Sequence, residues 1–185
     1  MATMGKRKGS AFEREISKRL SIWWSHGKSD NLFWRTQSSG GRATQRLKKG
    51  LSTGNQGGDV TSSDPSTHEF SSILYIECKT YKDIGLWAPF TGSKGGFLEW
   101  WKKTRDNAYH EGKWPVLIVK ENNKPTLWMC DEDLCEKMIK FFDVSPICVY
   151  LAEDCGDICV YNLDCVLQLD IECFKALLKE ASEID

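Results

Sequence analysis

Ile73-Leu74-Tyr75-Ile76-Glu77-Cys78-Lys79-Thr80 starts as the apolar run of a buried strand and ends on a carboxylate and an ammonium two positions apart. Successive side chains of a strand alternate faces, so Glu77 and Lys79 share one side, with Cα atoms roughly 6.5–7 Å apart. Charges at the end of a buried element are costly unless something charged sits between or beside them. This strand therefore calls for a cation or a charged partner, and the reading of the chain is built outward from it.

Upstream, apolar residues at Phe12, Ile16, Leu20 and Trp23/Trp24 form a helical stripe from Ser10 to about Trp24. Ser10 and Glu13 supply a capping box at its start. Residues 31–36 read as a short strand. The segment SSGGRATQRLKKGLSTGNQGG is polar, glycine-rich and basic, the composition of a mobile loop at about 38–57. Gly58-Asp59-Val60-Thr61 begins a second strand, and residues 72–79 form a third, apolar enough to be central. A helix over about 96–109, a strand at 115–120, a turn at 121–125 and a strand at 126–129 follow. The order α-β-β-β-α-β-β is that of a mixed α/β sheet. After residue 130, DEDLCEKMIKFF has a helical period, ICVYLAED and DICVYNLD form a hairpin around Cys155-Gly156, and IECFKALLKEASE reads as a final helix. The division expected is a core over 1–129 and an acidic α+β C-terminal extension over 130–185, packed on that core.

The chain has 185 residues, 41% of them hydrophobic, enough for a core. No apolar run approaches the ~20 residues of a membrane span, and MATMGKRKGSAFERE lacks an apolar signal core. A cytoplasmic protein without a membrane partner is expected, with its eight cysteines reduced. The formal net charge of −1 conceals an asymmetry: +8 over residues 1–60, +1 over 61–129 and −10 over 130–185. A basic first third is the footprint of a polyanion partner, or else a solvated face.

Asp59 on the second strand, Glu77 on the third and Glu13 one turn into the first helix are oxygen donors suited to Mg²⁺, with Mn²⁺ as a substitute. The backbone carbonyl of Cys78 lies between Glu77 and Lys79. A divalent ion so held binds a phosphodiester oxygen and activates water, while Lys79 orients that water or offsets charge. Three converging carboxylates also need the cation, because without one they repel.

Gly58-Asp59 followed 18 positions later by Glu77-Cys78-Lys79 resembles the PD-(D/E)XK nuclease signature. Lys8-Gly9-Ser10-Ala11-Phe12-Glu13-Arg14-Glu15 resembles the opening of helix one in archaeal and phage Holliday junction resolvases, where the glutamate at the Glu13 position belongs to the metal site. Arg35-Thr36-Gln37-Ser38-Ser39-Gly40-Gly41 resembles the segment before their flexible loop, and Trp114–Lys120 the strand after their second helix. The family's proline before Asp59 is glycine here, and its second-helix glutamine has no clear counterpart; Lys102, Lys103 and Arg105 stand there instead. The resemblance implies a restriction-endonuclease-like mixed β-sheet flanked by helices. It also implies a Mg²⁺-dependent DNA endonuclease acting on branched DNA as a homodimer, in a bacterial, archaeal or phage-infected host cytosol. The implied catalytic set is Glu13, Asp59, Glu77 and Lys79, with metal on Glu13, Asp59, Glu77 and the Cys78 carbonyl. A nuclease acting on non-branched DNA, or a non-catalytic DNA-binding module on this scaffold, would carry the same motifs.

Other residues keep two readings. Glu13 is a metal ligand or the partner of Ser10. Arg42, Arg46, Lys48 and Lys49 are linker charges or a DNA-ordered clamp, in which case Arg35, Ser38 and Ser39 also meet phosphate. Lys6, Arg7 and Lys8 are tail charges or phosphate contacts. Trp23/Trp24 and Trp100/Trp101 fit core or interface better than base stacking.

Overall fold

The computed structural model describes residues 4–36, 57–85, 96–152 and 154–182. The basic loop, with Ser38, Ser39, Arg42, Arg46, Lys48 and Lys49, lies outside them, as do the side chains of Lys6 and Arg7. Helix α1 spans Met4–Trp24. Strands β1 (Phe33–Arg35) and β2 (Val60–Ser62) pair antiparallel. A 3-10 turn at Pro65–Thr67 leads into α2 (His68–Ile73) and β3 (Leu74–Tyr81). Then come α3 (Gly96–His110), β4 (Trp114–Glu121), β5 (Thr126–Cys130), α4 (Glu132–Phe142), β6 (Cys148–Tyr150), β7 (Ile158–Asn162), α5 (Leu163–Val166) and α6 (Ile171–Ser182).

The main sheet has five strands in the order β3-β4-β5-β7-β6. β3 and β4 are parallel, the long connection between them carrying α3, and the remaining pairs are antiparallel. Helices cover both faces. On one, Ile76, Cys78, Val116 and Ile118 meet Phe12, Ile16 and Leu20 of α1 and Phe174 of α6. On the other, Leu117, Val119 and Met129 meet Phe97 and Trp101 of α3. This is a restriction-endonuclease-like mixed α/β fold. Trp23, Trp24 and Trp101 fill its core: Trp23 packs edge-on against Phe174 at 4.9 Å, and Trp101 is fully buried. Among the described residues no helix is long and apolar enough to cross a membrane.

Three expectations need correction. α1 begins at Met4, so Ser10 is an interior residue and no capping box forms there; the Lys and Arg residues that precede it lose little rotamer freedom in a helix and extend it. The third strand begins at Leu74 because residues 68–73 are helical, continuing a 3-10 turn that Asp64, whose carboxylate accepts the Ser66 N–H, and Pro65 start. That strand is also the outermost of the five. It is apolar because helices cover both its faces, while its open edge is met by residues 57–59.

Candidate active site

Asp59 closes the open edge of β3 with both of its polar parts. Its backbone N–H donates to the Ile76 carbonyl at 2.6 Å, and its carboxylate Oδ2 accepts the Cys78 N–H at 2.9 Å. A side chain thus does what the carbonyl of a neighbouring strand would otherwise do. The approach is close enough that a Cβ at Gly58 would lie 2.4 Å from the Ile76 carbonyl oxygen, and Gly58 has φ +77°. Proline, fixed near φ −65°, cannot take that conformation. Glycine in place of the proline of the resembled signature therefore reflects the path by which this chain reaches the edge.

Glu77 and Lys79, in register with Leu117 and Val119, lie on the α3 face of β3. The Lys79 ammonium donates to Glu77 Oε1, lies 3.4 Å from the Cys78 carbonyl and 4.0 Å from Asp59 Oδ2. One cationic nitrogen therefore lies within 4.0 Å of three of the four oxygen sources expected to hold metal, Glu13 being the exception, paired with Arg35 instead. Burial and then the charge of Asp59 push the Glu77 carboxyl above its ordinary range, against the pull of Lys79 and Lys103. Burial alone would lower Lys79, but Glu77 and Asp59 outweigh it and hold the ammonium above its usual value. In this arrangement Lys79 is a hydrogen-bond donor, its ammonium directed at Glu77 Oε1. The Cys78 thiol, also raised by burial, faces the α1 core.

Two carboxylates and a peptide carbonyl fit Mg²⁺, which prefers hard oxygen donors and needs only one or two carboxylates from protein. Among the described residues no three His, Cys, Asp or Glu side chains converge on one point. Glu13 stands nearby, and its carboxylate accepts from Arg35 Nε, an ion pair in which both side chains are largely buried. Lys8 is exposed and donates to Asn122 Oδ1 at 2.6 Å.

The sequence reading named Trp100 and Lys103 singly but missed the stripe on α3 that they share with Asn107, and its continuation at Glu111. Trp100 stacks on Tyr81, Lys103 acts electrostatically on Glu77, and Asn107 Nδ2 donates to the Tyr75 hydroxyl at 3.3 Å. Burial and the charge of Glu77 raise the Tyr75 phenol above its ordinary value. Glu111 pairs with Lys113 at 3.1 Å, both side chains about 5% exposed or less, and the Glu111 carboxylate occupies the space a Cβ at Gly57 would need. Spacings of three and four residues along a helix adjacent to the Glu77 strand are the signal that could have found these residues.

A strand edge carrying Asp59, Glu77 and Lys79 within a mixed sheet flanked by helices defines a nuclease of the PD-(D/E)XK class. The family model described as "Phage putative PDDEXK endonuclease" matches residues 4–175, and the chain belongs to that family. Membership makes it a hydrolase of nucleic-acid backbones, with DNA as the implied substrate, in a superfamily that typically uses divalent metals. Among curated proteins and among solved structures nothing matches the chain.

Proposed function

We propose that the protein is a Mg²⁺-dependent, structure-specific DNA endonuclease that cuts branched DNA as a homodimer, with Mn²⁺ able to replace Mg²⁺. The observation that carries the metal site is the single ammonium of Lys79 in reach of Asp59, Glu77 and the Cys78 carbonyl. Those three oxygen sources would hold the ion. When bound, it supplies charge stabilisation at the phosphoryl group and lowers the pKa of its water. Lys79 then orients the attacking water and offsets developing charge. Arg35 exchanges Glu13 for a phosphate oxygen, which frees Glu13 as a third or water-mediated ligand. Lys6, Arg7 and Lys8, with Ser38, Ser39, Arg42, Arg46, Lys48 and Lys49 from the basic loop, hold the backbone without reading sequence. The preference for branches rests on the likeness of residues 8–15 and 35–41 to junction resolvases, and a two-fold enzyme suits a two-fold substrate.

The test is cleavage of a synthetic four-way junction beside linear duplex and single strand, in Mg²⁺ and in EDTA, with Asp59→Asn and Lys79→Ala proteins. Paired nicks near the branch point, absent from EDTA and from both variants, are expected. Equal cutting of duplex and junction would discard the branch preference. Full activity in EDTA would discard the site.

A further inference from the structure

Tyr81 is the next residue after Glu77 and Lys79 on the same face of β3, and its side chain is half exposed. Its ring lies nearly parallel to that of Trp100 on α3, with centroids 4.6 Å apart and 22° between planes. Trp100 is only partly exposed and packs against the α3 core, so it backs the tyrosine. One lysine follows Trp100 on α3, and a second is bonded to a residue that pairs with the Tyr81 backbone. Lys103, one helical turn beyond Trp100, acts on Glu77, and Lys8 is fixed to Asn122, whose own N–H donates to the Tyr81 carbonyl at 3.2 Å.

We infer that the Tyr81–Trp100 stack is a shelf on which an unpaired nucleobase of the cut strand lies, beside the phosphate at Glu77 and Lys79. The inference rests on the nuclease reading above and adds to it a subsite and a substrate class. A rigid, backed aromatic face next to cations is how proteins take single-stranded nucleic acid, because every base has a face to stack while its phosphates seek positive charge. A base inside an intact duplex already stacks on its neighbours and cannot reach such a shelf without being turned out. Along a strand Tyr81 stands roughly 7–13 Å from Lys79 and Glu77. That places the bound base within a few nucleotides of the scissile phosphate. The shelf therefore favours DNA that offers an unpaired base close to the cut, as frayed branch points, flaps and single strands do.

The test uses oligonucleotides carrying 2-aminopurine, as single strand and as perfect duplex, mixed in EDTA with wild-type, Tyr81→Phe and Tyr81→Ala proteins. Stacking quenches 2-aminopurine fluorescence. Wild type and Tyr81→Phe are expected to quench the single strand and bind it alike. Tyr81→Ala should lose the quench and bind single strand about tenfold more weakly, the effect of removing one base-stacking contact, while binding duplex as the wild type does. Unchanged quenching and affinity in Tyr81→Ala would overturn the shelf. So would an equal loss on single strand and duplex, which is what a general folding defect gives. The same proteins assayed in Mg²⁺ keep the two ideas apart. Quenching that depends on Tyr81 without any cleavage would leave the shelf and sink the nuclease mechanism, whereas cleavage with quenching independent of Tyr81 would do the reverse.

Discussion

The two edges of the five-stranded sheet end in opposite ways. At β3 the edge is closed by a glycine with positive φ, a carboxylate doing the work of a peptide carbonyl, and three charges on buried or half-buried side chains. At β6 no other described strand pairs with the outer edge, which is apolar: Ile147, Val149 and Leu151 are exposed, Leu151 to 80%, and residues 144–152 carry no charge. The first edge is held by constraints that stability does not demand, since apolar residues would fill it at lower cost. The second asks only for residues that suit a strand. Constraint without a stability benefit sets the β3 edge apart and is the ground for placing the site there.

Perturbing both edges breaks or sharpens this contrast. Asp59→Asn keeps an oxygen to accept the Cys78 N–H and removes a like charge beside Glu77. Cleavage should fall about 10³-fold or more, the several kcal/mol expected when a metal ligand is lost, while the thermal midpoint stays level or rises. Gly58→Ala meets both a left-handed φ and a contact at 2.4 Å with a backbone oxygen that cannot yield. A loss of about 3 kcal/mol in denaturant unfolding is expected, with activity lost alongside. Gly156→Ala, in the β6–β7 hairpin, shares a positive φ (+67°), but its nearest neighbour is Arg105 Nη1 at 3.6 Å, and the same measurement should give about 1 kcal/mol. Leu151→Ser should change stability by no more than ~0.5 kcal/mol.

Asp131, at the junction of β5 and α4, tests whether a buried carboxylate alone marks function. It caps α4 by accepting the Leu134 N–H at 3.0 Å and takes a bond from the Tyr109 hydroxyl at 3.2 Å. Burial, mainly, pushes its carboxyl up to about 6 from 3.8. A folded-state value above the unfolded one means the native protein binds the extra proton. Stability should therefore fall as pH rises from about 4 to 6, by on the order of 2–3 kcal/mol. Asp131→Asn should flatten that slope in pH-dependent unfolding and leave cleavage at neutral pH unchanged.

Much of this was legible in the residues. The helical stripe of α1, the α3–β4–β5 run and the C-terminal hairpin follow from periodicity. Asp59, Glu77 and Lys79 stand out because charges end an apolar strand. The outer position of β3 was not legible, because an apolar run records burial by helices on both faces and says nothing of the edge. α2 was hidden in a serine-rich stretch, although Asp64-Pro65 is a readable start signal. Glu13 could be placed near the site, but its pairing with Arg35 is a contact across 22 residues that no local pattern encodes. The Tyr81–Trp100 stack is likewise tertiary, joining a strand end to a helix across residues 86–95.

The central claim is that Asp59 and Glu77 together hold a divalent cation. Calorimetric titration of Mg²⁺ and Mn²⁺ into wild-type, Asp59→Asn and Glu77→Gln proteins tests it without any substrate. The account predicts binding by the wild type, with proton release that grows at lower pH because the Glu77 carboxyl titrates above its ordinary range, and weak or no binding by either variant. Equal binding by all three proteins would contradict it.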